Sequence, residues 1–423
     1  MNTLLKNCLI ITQNKKQEII SCGSILIKKN KIEKIFKTNK KISEDVSVVD
    51  LEGAPVMPGL INAHAHLGEI VYRGYIKEGN TKEYIKETET FFKQRVKNKK
   101  NNREAICNFA LLELLKNGVT TLCAGRTWPE AENIGLRSFS NYMLMSTDKL
   151  NDFYDDFENQ FENFYKKIKK SKLTVPGLMI HSLNFIDSKK LIEVKKIMDK
   201  YKDLRLFIHI GENKEMEEDT KNRFGLSSIQ VLNKYGLLNK NIFLVHSLFF
   251  NKNDYQLIKK HKANIVSCPV SNIRLENGCL NVAQVLKDNI NLIISTDGPA
   301  SNNSSNLLNE CKTTYLLNKI FFNNTFSAQK LLDLITIFPA KALGMQDKIG
   351  SIEEGKCADI LVLDKNNTSL YPMNNIVDNL IFALSGDLIS SVIVDGKFIY
   401  KDKKLISKNQ DKIIENFNYV SSI

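Results

Sequence analysis

The stretch Val56-Met-Pro-Gly-Leu-Ile-Asn-Ala-His-Ala-His66 runs from apolar residues into two histidines that are separated by one alanine. Its first six residues predict a buried β-strand, because a short apolar run that ends at polar positions is typical of one. Alternate residues of an extended chain point to the same side, so the two imidazoles can face one ion. The stretch therefore predicts the first strand of a sheet and a pair of metal ligands where that strand ends.

Seven more short apolar runs follow this stretch, and amphipathic helical segments separate them. The runs are Val119–Cys123, Phe139–Met145, Val175–Ile180, Leu204–Ile208, Ile242–Val245, Ala263–Val266 and Leu292–Ile294. Repeated alternation of strands and helices is typical of a parallel sheet with helical crossovers. With 56–61 counted as the first strand, eight strands predict a closed (β/α)8 barrel of the TIM type. We therefore expect an α/β protein whose barrel spans residues 58–345.

Both ends of the chain have a different pattern, in which short β-like runs alternate with polar or glycine turns. The N-terminal runs are Cys8–Thr12, Ile19–Ser21, Ser24–Ile27, Ile32–Phe36 and Val46–Leu51. Near the C-terminus, Asp395-Gly396 lies between two apolar runs, which is a strong hairpin signal. We expect 1–57 and 346–423 to pair into one small β-sandwich domain, with a C-terminal tail, around the inserted barrel.

The chain has six histidines, and most of them lie where predicted strands end. Five histidines and one aspartate have this position: His64, His66, His181, His209, His246 and Asp297. Active sites of barrels are built at the carboxyl ends of the strands. These six side chains should therefore converge on one rim of the barrel. Only His261, within Lys-Lys-His-Lys, is expected on an ordinary surface helix.

A single histidine at the end of a strand is more often a hydrogen-bonded structural residue than a metal ligand. His181, taken alone, would therefore be interpreted as a structural residue. The His-Ala-His pair is different, because His209 and Asp297 can complete a set of nitrogen and oxygen ligands with it. Such a set leaves a position open for water, which is typical of catalytic zinc sites. We predict one divalent ion on these four residues, with zinc first and iron or manganese as alternatives.

The two ligand stretches resemble motifs of a known protein family. The stretch 56–66 is similar to the first-strand motif of the amidohydrolase superfamily. Ser295-Thr-Asp-Gly-Pro-Ala-Ser-Asn-Asn303 is similar to the last-strand motif of its methylthioadenosine/S-adenosylhomocysteine deaminase branch. Further matches are Asn117–Thr121, Cys268–Gly278 and Gly350–Asp359, and the resemblance runs from about residue 5 to 405. It implies a hydrolase that acts on the C–N bonds of cyclic amidines.

The resemblance also implies roles for individual residues. The four ligands match those of members with a single metal ion, and no lysine follows the fourth strand, where binuclear members carry one. Glu212, three residues after His209, matches a glutamate that moves protons to and from the substrate. His246 matches a histidine that hydrogen-bonds the attacking water. Asp297 can bind the metal and accept a proton from that water, so we expect Glu212, His246 and Asp297 to be the catalytic residues.

Four residues are expected to bind the substrate: His181, Glu89, Tyr142 and Ser301. Three positions depart from the adenosine-analogue branch. Lys93 stands where that branch has a ribose-binding glutamate, and Glu89 or Glu87, about one helical turn earlier, could replace it. Tyr142 stands in place of an arginine and Ser267 in place of a histidine. Because of these three departures, the sequence does not identify the substrate.

The leading hypothesis is hydrolytic deamination of an aminated purine or related heterocycle, such as methylthioadenosine, S-adenosylhomocysteine or adenosine. The alternatives are a guanine or pterin deaminase, or a chlorohydrolase of triazine-like rings. Outside enzymes, the chain could be a non-catalytic scaffold with the same fold. Such scaffolds lose metal ligands, whereas this sequence retains all four.

The composition is typical of a soluble globular protein, with 43% hydrophobic and 25% charged residues. No apolar run could span a membrane and no signal peptide is recognisable, so we expect a cytoplasmic location and no membrane partner. The eight cysteines form no CxxC pair, which argues against disulfides and a cysteine-based zinc site. The net charge of +13 comes from lysines spread along the whole chain, so we expect no nucleic-acid partner. A small-molecule substrate is the expected partner, and the resemblance leaves a homo-oligomer open.

Overall fold

The N-terminal strands belong to a mixed sheet of nine strands that both ends of the chain build together. The computed structural model describes residues 2–38, 46–75, 79–91, 102–145 and 156–421, except for the side chains of Glu89 and Asn102. The N-terminal strands are β1 (Thr3–Ile11), β2 (Ile19–Lys28), β3 (Lys31–Phe36), β4 (Ser47–Asp50) and β5 (Pro55–Pro58).

Eight parallel strands follow and form a second sheet, in which each strand pairs with its neighbours in chain order. They are β6 (Leu60–Ala65), β7 (Val119–Gly125), β8 (Arg137–Leu144), β9 (Thr174–Ser182), β10 (Leu206–Ile210), β11 (Ile242–His246), β12 (Asn264–Ser267) and β13 (Asn291–Ile294). The last strand returns to the first, because Ala65 and Asp297 form a parallel bridge and the N–H of Asp297 donates to the carbonyl of His64 at 3.2 Å. The sheet is a nearly closed barrel, which confirms the predicted fold class.

The remaining strands of the mixed sheet come from the C-terminal part of the chain. They are β14 (Ile360–Leu363), β15 (Ile389–Val394), β16 (Lys397–Lys401) and β17 (Lys404–Leu405). The strand order is β17-β16-β15-β14-β5-β1-β2-β3, and β4 pairs with β1. Asp395 and Gly396 have φ values of 50° and 76°, which are the left-handed values that a two-residue hairpin requires. The predicted hairpin is confirmed, and β14 joins it to the N-terminal strands through β5.

The stretch that begins at Val56 contains two strands, so the prediction of one strand over 56–61 was wrong. β5 pairs with β1 and β14 in the mixed sheet, whereas β6 opens the barrel. Gly59 lies between them, where a Cβ atom would lie only 2.0 Å from Oγ1 of Thr120. Only glycine allows the backbone to pass this close, and the apolar pattern alone does not reveal the change of sheet.

Helices cover the outside of the barrel. They are α1 (Thr81–Phe91), α2 (Asn102–Lys116), α3 (Glu130–Ile134), α4 (Phe157–Ile168), α5 (Ser188–Lys200), α6 (Lys214–Phe224), α7 (Ser228–Lys234), α8 (Lys252–His261), α9 (Pro269–Arg274), α10 (Val282–Lys287), α11 (Leu307–Phe322), α12 (Ala328–Asp333), α13 (Ile337–Ala342), α14 (Ile376–Asp378) and α15 (Gln410–Ser421). Shorter helical turns are Leu67–Tyr72, Leu183–Phe185, Thr368–Leu370 and Asn379–Ala383. Among the described residues, no helix is both long and apolar enough to cross a membrane.

The barrel interior is filled with side chains. Inward-pointing residues of successive strands form one apolar cluster that includes Ile61, Cys123, Phe139, Met179, Phe207, Phe243, Val266 and Ile293. The opposite faces of the same strands pack against the helices in a larger cluster. A packed interior leaves only the ends of the barrel for a site, and the carboxyl ends of the strands carry the candidate residues.

The opposite end of the barrel is tied to the mixed sheet by a buried ion pair. Arg137, the first residue of β8, donates to Asp359 through Nε at 3.0 Å and Nη2 at 3.2 Å. Nη2 also lies 3.3 Å from a carboxylate oxygen of Asp395. The carboxylates raise the pKa of Arg137 even though burial opposes this, so the guanidinium stays charged. This pair fixes the position of the mixed sheet on the barrel.

We expect Arg137→Met to lower the free energy of unfolding by about 3–5 kcal/mol, because it leaves the buried Asp359 carboxylate without its partner. Urea unfolding followed by far-UV circular dichroism measures the difference. Lys195→Met is the matched control, because Lys195 and Asp199 form an exposed pair whose loss should cost less than about 1 kcal/mol. Equal losses in the two variants would contradict the assignment.

Candidate metal centre

Four side chains at the carboxyl ends of the barrel strands bring their ligand atoms together. His64 lies in β6 and His66 directly follows that strand, His209 lies in β10, and Asp297 lies in the turn after β13. Nε2 of His209 lies 3.1 Å from Nε2 of His64 and 3.2 Å from Nε2 of His66. Oδ1 of Asp297 lies 3.2 Å and 3.3 Å from the same two nitrogens. All four ligand atoms lie within 4.8 Å of one another.

These distances fit a divalent metal ion better than a hydrogen-bonded cluster. A tetrahedral ion with ligand bonds of about 2.0–2.1 Å separates its ligand atoms by about 3.3–3.4 Å, close to the 3.1–3.3 Å found here. Each neutral imidazole carries only one N–H, so three ring nitrogens and a carboxylate oxygen cannot all be satisfied by each other. The donor set is therefore the one expected for a bound cation with room for a further ligand.

Protonation of the histidines also bears on metal binding. Burial lowers the pKa of His64 to about 4 and that of His209 well below its ordinary value, so both imidazoles are neutral near pH 7. Burial would lower the pKa of His66 as well, but the carboxylates of Glu69 and Asp297 raise it to about 9. A cation that binds here must therefore displace a proton from His66.

Asp297 is held by its backbone and by two hydroxyl groups. Its φ is 61°, a left-handed value that is uncommon outside glycine. Oδ2 accepts a hydrogen bond from Ser271 Oγ at 2.6 Å and faces Ser301 Oγ at 3.2 Å. Burial raises the pKa of Asp297, but hydrogen bonds with His64 and His66 hold it well below its usual range. Asp297 is therefore an anion, with Oδ1 turned to the histidines and Oδ2 fixed by the hydroxyls.

Glu212 lies in the turn that follows β10 and is 9% exposed. Asn277 Nδ2 donates to its Oε1 at 3.3 Å, and its Oε2 lies 3.9 Å from Nε2 of His246. Burial raises the pKa of Glu212 above its ordinary value of 4.5. A carboxyl group in such an environment can hold a proton and release it, as an acid–base group must.

His246 is fixed by an amide that the sequence analysis did not single out. Its Nδ1 lies 2.8 Å from Oδ1 of Asn272, in α9. An amide oxygen is an acceptor, so this contact places the ring hydrogen on Nδ1 and leaves Nε2 turned towards Glu212. His246 also has a left-handed backbone, with a φ of 76°. The backbone and Asn272 together orient the imidazole.

The residues expected to bind substrate have different positions. The His181 ring lies 5.0 Å from that of His209, and its buried Nδ1 has no hydrogen-bond partner. Ser301 lies against Asp297, as described above. Tyr142 is not brought to the metal ligands: its hydroxyl donates to Gln160 at 2.8 Å, on the helix-facing side of the barrel. Neither the Glu89 side chain nor Lys93 is among the described residues.

Tyr142 is outside the centre because of strand alternation. In β8, Phe139 and Met143 belong to the barrel interior, so that Tyr142 points to the helices. Ser267, the other described departure, is the buried last residue of β12, and its carbonyl accepts from the N–H of Ser295 at 2.9 Å. His261 lies at the end of α8, away from the ligands, and is partly exposed.

Three polar residues that contact the centre come from the stretch 268–278. Ser271 contacts Asp297, Asn272 contacts His246 and Asn277 contacts Glu212. From the sequence alone, this stretch was identified only as a family match. Because the stretch follows the seventh strand, it is expected at the rim of the barrel. Its polar residues were the signal in the sequence that could have identified these three contacts.

Glu310, in α11, joins two loops at the rim. Its Oε2 accepts from the N–H of Val270 at 3.1 Å, and its Oε1 accepts from Nδ2 of Asn302 at 2.6 Å. The carboxyl group is completely buried, and this burial raises its pKa from 4.5 to about 8. The folded protein therefore binds the Glu310 proton more tightly than the unfolded chain does.

It follows that the free energy of unfolding should contain a contribution that falls as the pH rises from about 4.5 to about 8, because the unfolded carboxyl loses its proton first. Glu310→Gln removes this titration and should flatten the dependence. Urea unfolding at about pH 5 and about pH 8 measures it, with the exposed Glu215→Gln as control. The same pH dependence in Glu310→Gln and the unsubstituted protein would argue against a raised pKa.

Comparison with known proteins relates this centre to a family. A model of the "Amidohydrolase family" matches residues 56–399. The chain is 27% identical to a 5-methylthioadenosine/S-adenosylhomocysteine deaminase of Clostridium tetani, over 99% of this chain and 98% of that protein. It is 29% identical to a 5′-deoxyadenosine deaminase of Methanosphaera stadtmanae, over 97% and 96% of the two chains. A zinc-bound adenosine deaminase from Xanthomonas campestris has the same fold, with a TM-score of 0.88, 20% identity and coverage of 99% and 98%.

The family match covers most of the chain, and it contains all four candidate ligands together with Glu212 and His246. The protein belongs to the amidohydrolase family.

Proposed function

We propose that this protein is a metal-dependent deaminase that hydrolyses the amino group from an aminated purine or related heterocycle. The observation that carries the proposal is the group of four ligand atoms with the buried carboxyl of Glu212 beside it. Deaminase names among relatives that match over nearly the whole chain support it. The first candidates are 5-methylthioadenosine, S-adenosylhomocysteine, adenosine and 5′-deoxyadenosine.

Zinc is the ion that we propose for the centre, held by His64, His66, His209 and Asp297. Three imidazole nitrogens and one carboxylate oxygen suit it, and iron or manganese could use the same donors. When bound, such an ion supplies Lewis acidity, which makes water acidic enough to act as a nucleophile near neutral pH.

The protein groups then account for the proton transfers of the reaction. Asp297 is an anion near pH 7 and can accept the proton that the attacking water loses. Glu212 can give a proton to the ring nitrogen next to the attacked carbon, because burial favours its protonated form. The C–N bond to the amino group breaks and a C–O bond forms. Of the two protons of the water, one leaves with the amino group as ammonia and the other remains on the ring nitrogen of the product. One water is consumed for each ammonia released.

His246 and His181 complete the surroundings of the reacting carbon in this proposal. His246 presents Nε2 near Glu212 and can hydrogen-bond the oxygen that enters. His181 has a neutral imidazole, because burial lowers its pKa to about 4. Its unpartnered Nδ1 is suited to a polar group of the substrate. Ser301 remains a proposed substrate contact, since its hydroxyl lies beside Asp297.

A screen for ammonia release over aminopurines, aminopterins and their nucleosides tests the proposal. We expect turnover by the metal-loaded protein, and a loss of about 100- to 10,000-fold in kcat for Glu212→Gln, which cannot exchange a proton. Glu215→Gln, with an exposed carboxylate in the first turn of α6, is the matched control and should retain activity. The absence of turnover with every compound would sink the proposal.

Metal analysis separates this proposal from a non-catalytic scaffold. An enzyme should contain about one zinc, iron or manganese ion per chain. His209→Ala should reduce this content, because it removes the nitrogen that faces both other histidines. A purified protein without stoichiometric metal would favour the scaffold.

Asn272 gives a further prediction, because its side-chain oxygen bonds His246 and none of the metal ligands. Asn272→Ala removes the acceptor of Nδ1 and should lower kcat/KM by about 10- to 100-fold, with the metal content unchanged. Asn272→Asp keeps an acceptor and adds a charge that favours the imidazolium, so its pH–rate profile should shift to higher pH.

Asn253→Ala, at an exposed position of α8, is the control for this pair of variants. An unchanged pH–rate profile in Asn272→Asp, together with full activity of Asn272→Ala, would show that the amide does not position His246.

A further inference from the structure

One carboxylate at the centre, that of Glu69, has no role in the proton transfers proposed above. Glu69 lies in the helical turn 67–72, three residues after His66. Its charge interacts with the charges of His66, Asp297 and Glu212, so the carboxylate lies near these three side chains. Burial raises the pKa of Glu69 to about 7. The sequence analysis did not single this residue out.

Glu69 is incompletely satisfied by the protein. Its Oε2 is buried and has no hydrogen-bond partner. The phenol of Tyr84, on α1, interacts with the carboxylate. Over the described part of the chain, no lysine or arginine pairs with it, and the nearby Arg73 forms a two-pronged pair with Glu113 instead. A buried acceptor without a donor is costly, unless a ligand supplies the donor.

Oε2 lies against Gly298, the residue that follows Asp297. A Cβ atom on Gly298 would lie 1.6 Å from this oxygen, so glycine is required for the carboxylate to lie where it does. Oε2 is therefore held between the turn that begins at His66 and the turn that contains Asp297. It lies close to the residues that neighbour two of the candidate metal ligands, His66 and Asp297.

We propose that Glu69 determines substrate specificity by accepting a hydrogen bond from an N–H group of the heterocycle. This inference rests on the proposed deaminase function. It favours heterocycles that carry an N–H donor in addition to the amino group that leaves. The neutral adenine ring of a nucleoside has no such donor, because N1, N3 and N7 are all acceptors and N9 carries the sugar. A 2,6-diaminopurine and guanine do have one.

The sugar is the other possible source of a donor in a nucleoside. Its hydroxyls lie on the far side of the glycosidic bond from the reacting carbon of an adenine. Glu69 is three residues from His66 and packs against the neighbour of Asp297, so it is near the metal end of the site. We therefore assign Glu69 to the ring, and the experiment includes nucleosides that differ only in the sugar.

The test compares kcat/KM for matched substrates in the unsubstituted protein, Glu69→Met and Glu69→Gln. Two ring pairs differ by one N–H donor on the heterocycle: adenosine against 2,6-diaminopurine riboside, and 2-aminopurine riboside against guanosine. We expect the unsubstituted protein to prefer the donor-bearing member of at least one pair by about 10- to 100-fold. Glu69→Met, which has no acceptor, should abolish this preference, and Glu69→Gln, which keeps one acceptor oxygen, should retain part of it.

Glu215→Gln is again the control and should keep the full preference. Metal content and the midpoint of thermal unfolding are measured for every variant. If Glu69→Met does not fold, the substrate preference is compared in the nearly isosteric Glu69→Gln instead. The sugar arm uses 2′-deoxyadenosine and 3′-deoxyadenosine against adenosine, for which the Glu69 variants should leave the ratios unchanged.

Two results would overturn the inference while the deaminase function stands. One is an equal loss of activity for both members of each ring pair, and the other is an effect confined to the sugar pairs. If no compound releases ammonia even with the unsubstituted protein, the proposed function fails, and the inference fails with it.

Discussion

The barrel closes where the N–H of Asp297 donates to the carbonyl of His64, 3.2 Å away. Beside this contact, Asn62 donates to the hydroxyl of Thr296 at 2.8 Å, and the N–H of Ala63 donates to Oγ of Ser295 at 3.1 Å. The first and last strands thus meet through polar groups that a parallel register aligns. Since His64 and Asp297 are both candidate metal ligands, the bonds that close the barrel also assemble the centre.

The centre depends further on backbone conformations that only a rigid scaffold maintains. His246 and Asp297 both have left-handed φ values directly after or at the end of a strand. For residues other than glycine, such conformations cost of the order of 1–3 kcal/mol and persist only where the surroundings determine them. The strands of the barrel supply that constraint on one side, and the contacts of Ser271 and Asn272 in α9 supply it on the other.

Much of this arrangement could be predicted from the sequence, because strand rhythm and strand ends are local features. The eight apolar runs predicted the barrel, and the residues that follow these runs predicted which side chains lie together on one rim. Tyr142 was assigned to the pocket by alignment, although its alternation with Phe139 and Met143 already indicated the outer face. The split at Gly59 could not be foreseen, since a close approach to Thr120 is a tertiary contact. The same limit applies to Ser271 and Asn272, whose partners are distant in the chain.

Three carboxylates share the centre, and their surroundings give them different states. Asp297 is fully ionised because two histidines and two hydroxyls face it, in spite of its burial. Glu212 has one weak amide donor, so that burial prevails and its pKa rises. Glu69 interacts with the phenol of Tyr84, but its buried Oε2 has no donor. Chemically identical groups can therefore act as ligand, as proton carrier and as acceptor for a substrate, because what distinguishes them is the number of donors that the fold provides.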